Sequence, residues 1–189
     1  MNFIILTRDC HGYQYCNGLY NSPTIGNCMY IPDFINFLKN LEKIPKLKLT
    51  FNEKSEKKYP VGILDISNEI KINIHFMHDS NKLEVINKWN RRIERMDNNT
   101  SQKYLFLNDC DLRGINNNLD FYIEEFFEIP YGIKVLFCKK STFDSFSQST
   151  KSKTKLGTVI IIPDNCVNGI HIYNYVKKNM DIYKKIFLI

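Results

Sequence analysis

The chain has 189 residues, 43% hydrophobic and 13% aromatic, enough for one well-buried domain (residues 1–189) and short for two. A formal net charge of +6 and a pI near 8.9 suit anionic partners: nucleotides, sugar phosphates, acidic polysaccharide, membrane headgroups or nucleic acid. No run is long enough to span a membrane, Met1 to Leu6 carries no basic leader, and the six cysteines include no CxxC pair, so the reading is a cytoplasmic protein with reduced thiols and no zinc ribbon.

Asn2 to Thr7 is apolar and predicts a buried first strand. Residues 8–31 read as loop and turns, a connection long enough to point to function. Pro32-Asp33 opens a helix to about Lys43, with Phe34, Phe37, Leu38 and Leu41 on one face. Leu47 to Phe51 predicts a short strand, and 52–58 a charged loop. Ile63–Asp65 and Ile70–Phe76, joined through Ser67-Asn68, predict a hairpin. Asp79 or Ser80 caps a helix from about Asn81 to Met96, with an apolar stripe of Ile86, Trp89, Ile93 and Met96. A strand at Tyr104–Leu107, a helix at Asn117–Glu128 ended by Pro130, and a strand at Ile133–Cys138 follow. Residues 139–155, rich in Ser, Thr and Lys without periodicity, read as an exposed, mobile loop. Thr158–Ile162 is a further strand, and Tyr173 to about Lys185 a last helix. Strands interleaved with helices predict an α/β layered sandwich whose mixed, mostly parallel sheet is covered by helices; the hairpin supplies the mixed character.

Four constellations can carry chemistry. Asp9-Cys10-His11-Gly12 follows the first strand; a thiolate beside an imidazole is a nucleophile pair, and a buried Cys with a surface His is the plain alternative. His75 and His78 form an H-x-x-H pair at a strand end, suited to binding a metal, donating to an anion or simply hydrogen bonding. At about 100° per residue, Lys88, Arg91, Arg92 and Arg95 fall in one sector of their helix beside Trp89. They make either a cradle for phosphate or a solvated face. Asn108-Asp109-Cys110-Asp111 with Arg113-Gly114 pairs carboxylates at a strand end, for a divalent metal, sugar hydroxyls or a turn.

In order, these pieces resemble a bacterial family known as domain of unknown function 1919. The run NFIILTRDCHGYQYCNGLYNSPTIG resembles the family's opening, with Cys10, Gly12, Tyr20, Ser22, Pro23 and Gly26 on its outline. YPVGILD and IHFMHDSNKLEVINKWNRRIERM resemble its Tyr-Pro-x-Gly, Ile-His-Phe-x-His and Lys-Trp-x-Arg-Arg segments, which place His75, His78, Trp89, Arg91 and Arg92. LFLNDCDL and FFEIPYGIKVLFC resemble later segments, so the likeness covers about residues 2 to 138. Thr7-Arg8-Asp9 and His11 depart from the family's Ser-Asn-Asn and Trp, and Leu112 stands where Gly-Cys is usual.

The resemblance implies an α/β sandwich and a role in exopolysaccharide, capsule or lipopolysaccharide synthesis. The expectation is a transferase acting on a sugar or sugar-phosphate precursor, with glycosyl transfer preferred over acyl transfer and over a non-enzymatic polysaccharide-binding factor. His75, His78 and Cys10 are the candidate catalytic residues; imidazole titrates near neutrality and suits a general base. Gly12, Tyr20, Ser22, Trp89, Arg91, Arg92, Asp109 and Asp111 are the candidate binding residues. No protein metal site is assigned; a divalent metal with a nucleotide sugar would accompany glycosyl transfer. The partner is an anionic sugar or sugar phosphate, without specific nucleic-acid recognition, and the charge suits peripheral membrane contact.

Overall fold

A computed structural model describes residues 3–9, 24–26, 28–97 and 102–187. Five parallel strands form the main sheet: β1 (Phe3–Thr7), β2 (Thr24–Gly26), β6 (Gln102–Asn108), β7 (Ile133–Lys139) and β8 (Thr158–Ile162), in the order β2-β1-β6-β7-β8. Three short strands, β3 (Thr50–Phe51), β4 (Val61–Asp65) and β5 (Lys71–His75), form a separate antiparallel sheet. The mixed character expected from the hairpin is thus divided between two sheets.

The period-two pattern of the central strands sorts the core into two layers. Ile4, Leu6, Leu105, Leu107, Leu136 and Cys138 face one way. They pack on α1 (Ile31–Lys39), α2 (Lys82–Asp97), α3 (Leu119–Phe127) and the inner side of the small sheet. Phe3, Ile5, Tyr104, Phe106, Val135 and Phe137 face the other way, onto α6 (Gly169–Lys178) and α7 (Met180–Phe187). The last two helices replace the single one predicted from Tyr173; Asn168 caps the chain into α6 four residues early, and Asn179 separates it from α7.

Residues 139–155 are a correction to the expected loop. They form α4 (Lys140–Ser145), α5 (Gln148–Lys153) and a 3₁₀ turn at Thr154–Leu156. Ser147 caps α5 by accepting from the Thr150 amide at 3.2 Å. The apolar stripe of α2 begins at Val85 rather than Ile86, and α1 ends at Lys39.

A short seam joins the two sheets. The Met29 amide donates to the Arg8 carbonyl at 2.8 Å, and the His75 amide donates to the Cys28 carbonyl at 2.8 Å. The small sheet is thereby fixed beside the carboxyl end of β1, and the chain after β5 turns over that end. Two turns need glycine: Gly114 (φ +81°) after β6, and Gly132 (φ +74°) before β7, where a Cβ would also meet Leu105 at 2.9 Å.

Candidate functional site

Strand order reverses across the β1–β6 junction: from β1 the chain steps outward to β2, and from β6 outward through β7 to β8. The carboxyl ends of strands at such a switch point leave a crevice, because the flanking connections depart in opposite directions. A cleft of about 350 Å³ lies there. Arg8 and Asp9 come from the end of β1, and Asn108, Cys110, Asp111 and Arg113 from the end of β6. Met77 and His78 come from the turn after β5, Cys28 from the seam, and residues 167–170 from the start of α6.

Arg8 is the deepest charge, only 2% exposed. Its Nη1 donates to the carbonyls of Asn108 at 3.1 Å and Asp111 at 2.8 Å, and its Nη2 lies 3.8 Å from the Asp111 carboxylate. These contacts tie the end of β1 to the turn after β6. The Asn108 side-chain Nδ2 donates to Asp9 Oδ2 at 2.9 Å, a second tie across the same junction. Arg113 clamps the Asp111 carboxylate through Nε and Nη2 at 2.5–3.0 Å, and this holds the Asp111 carboxyl below the usual carboxylate range. The Arg113 guanidinium also lies over the Tyr30 ring at 4.7 Å, and Tyr30 stacks on His75 at 4.5 Å.

The predicted residues divide. His78 and Asp111 line the cleft, with His78 exposed on its wall. His75 is 7% exposed behind that wall, stacked on Tyr30 with the Tyr59 ring edge-on at 5.9 Å. Burial, then Arg113 and Lys57, depress its basicity, and neither ring nitrogen has a hydrogen-bond partner among the described residues. Asp109 is 2% exposed; its Oδ2 accepts from the Lys139 amide at 3.0 Å, and its Oδ1 has no partner among the described residues. It does not line the cleft.

Trp89 is a core residue at 1% exposure, edge-on to Phe37 at 6.4 Å. Arg91 and Arg92 line a different groove on α2 with Lys88, Glu94 and Arg95. The structure therefore does not bring Trp89, Arg91 or Arg92 into the cleft with His78 and Asp111. Cys10, Gly12, Tyr20 and Ser22 lie outside the described residues. Two other thiols line the cleft, and burial pushes Cys28 up to about 11 and Cys110 up to about 12. Both stay protonated at neutral pH, so neither supplies a thiolate. Among the described residues, no group of three or more His, Cys, Asp or Glu is placed to hold a metal ion, and no helix is long and apolar enough to cross a membrane.

Sequence reasoning noted Arg8 only as a departure from a motif. A charged side chain closing an apolar strand was its available signal. The Asn168-Gly169 step before an amphipathic run would have flagged the α6 wall.

The family profile described as a domain of unknown function (DUF1919) matches residues 1–183, which includes every element of the cleft. The chain belongs to the DUF1919 family. A Haemophilus influenzae (strain ATCC 51907 / DSM 11121 / KW20 / Rd) relative, described as an uncharacterized protein, is 31% identical over 141 residues. The match takes in 72% of this DUF1919 chain and 61% of the relative, so the chain spans about three-fifths of that relative's length. No solved structure matches this DUF1919 chain.

Proposed function

We propose that this DUF1919 protein is a transferase of surface-polysaccharide synthesis, acting in the switch-point cleft on a sugar or sugar-phosphate precursor. The observation that carries the reading is the shared polar lining of Arg8, Asp9, His78, Asn108, Asp111 and Arg113. Carboxylates and a carboxamide match sugar hydroxyls, which both donate and accept. Guanidinium groups match a phosphate or acidic sugar. An imidazole on the wall suits a general base, since a ring nitrogen can accept a hydroxyl proton.

In glycosyl transfer, His78 takes the proton from an acceptor hydroxyl. The acceptor oxygen bonds to the anomeric carbon of the donor as that carbon's bond to the phosphate oxygen breaks. The leaving phosphate keeps the electron pair and is met by the cationic side of the cleft. Acyl transfer is the second reading, favoured by the exposed apolar rim of Met77, Val167 and Ile170.

Titration with uridine diphosphate sugars and with acyl-coenzyme A, with and without manganese, separates the two. The expected result is saturable binding of a nucleotide sugar, weakened about tenfold in Arg113→Ala. His78→Ala should bind the sugar but not turn it over. Binding of the acyl thioester alone would transfer the assignment to acyl transfer, and binding of neither would overturn both.

A further inference from the structure

We propose that the first turn of α6 and the buried Arg8 form a phosphate subsite within the cleft, the position taken by the diphosphate of the donor. The proposal rests on the reading of the cleft as a sugar-precursor site and adds which end receives the charge.

The first part is backbone. The Asn168 side chain accepts from the His171 amide at 3.0 Å, and its carbonyl accepts from the Ile172 amide at 3.3 Å. Helix geometry gives the amides of Gly169 and Ile170 no intrahelical acceptor, and both residues line the cleft. The ten-residue helix adds the partial positive charge of its N-terminus.

The second part comes from the opposite end of the chain. Arg8 is 98% buried by its 2% exposure, lines the same cleft, and has no acceptor for its Nε–H among the described residues. The two carboxylates of the cleft already have donors, Asp111 clamped by Arg113 and Asp9 held by the Asn108 side chain. The Cys110 thiol donates to the Cys166 carbonyl at 3.3 Å and pins the loop before α6 against the end of β6. Helix and guanidinium thus line one cleft, with Val167 and Ile170 on its exposed rim.

Inorganic pyrophosphate is the probe, titrated into the whole chain by calorimetry, with the Gly169 and Ile170 amides followed by NMR. Saturable binding with shifts at both amides is expected. Gly169→Pro removes one donor at a position that tolerates proline, since Asn168 before it is extended (φ −158°, ψ 172°), and should weaken binding about tenfold. Arg8→Lys should weaken it too, while the Arg91→Ala, Arg92→Ala double variant should bind like the unaltered protein. The amide readout on the unaltered chain decides the matter even where Gly169→Pro or Arg8→Lys misfolds. No binding at millimolar pyrophosphate, silent amides, or loss of binding in the Arg91/Arg92 variant would each overturn the subsite. Pyrophosphate binding without turnover of a uridine diphosphate sugar would instead sink the glycosyl-transfer reading and leave the subsite standing.

Discussion

His75 is enclosed by two tyrosine rings, and burial lowers its basicity from an ordinary value of 6.5. A depressed folded value means that the folded protein holds the neutral ring where the unfolded chain has begun to protonate. Stability from this position is complete above pH 6.5 and is lost as pH falls through the lower folded value. Each unit of depression is worth about 1.4 kcal/mol at the acid end. His75→Phe keeps the stacked ring and removes the titration. The melting temperature of His75→Phe relative to the unaltered protein should therefore stay constant from pH 8 to about pH 7 and rise as pH falls from there to 5. Parallel curves would show that His75 titrates alike in both states. Residue type alone could nominate His75, but burial behind the cleft wall is a tertiary fact that the motif does not carry. Arg8 is the reverse case: its role depends on carbonyls 100 and 103 residues away, beyond any local pattern.

Among the elements, α4 and α5 were hidden because they are short and nearly without apolar periodicity; α4 buries nothing, and α5 buries only Thr150. Polar contacts tie α5 to α3. Thr150 Oγ1 donates to Glu124 at 2.8 Å, and the Ser147 amide donates to Asp120 at 2.9 Å. Thr150→Val keeps the volume and strands the Glu124 acceptor next to an apolar group. It should cost about 1–3 kcal/mol in urea unfolding. A cost under about 0.5 kcal/mol would mean that water satisfies Glu124 as well as Thr150 does. The longer elements were legible for the opposite reason. Phe34, Phe37 and Leu38 of α1, and Trp89, Ile93 and Met96 of α2, recur at helical spacing and are buried as that spacing requires.

For the whole molecule, the near-continuous apolar runs of β1, β6 and β7 are those of strands buried on both faces, and the interleaved helices announced the layers. Strand order was not legible, because no local residue records which strand will be a neighbour, and the switch point follows from order alone. Without it, the cations of α2 and the histidines could be placed in one pocket on paper; in the fold, α2 turns Trp89 inward and its arginines to another groove. Trp89→Ala should cost about 3–5 kcal/mol, a large part of the stability of a domain this size, while Trp89→Phe should lose much less. Chemical unfolding of both variants checks this, and a mild Trp89→Ala would argue for a role outside the core.

The pairing of β1 with β6 has a consequence for biosynthesis. On the ribosome, the carbonyls that receive the Arg8 guanidinium are translated 100 and 103 residues after it, and the α6 wall later still. Such distant partners slow folding, because the intervening loop must close before the contact is made. Nascent chains that end before Gly169 therefore lack one wall of the cleft, and the cleft closes only after α6 has joined the sheet.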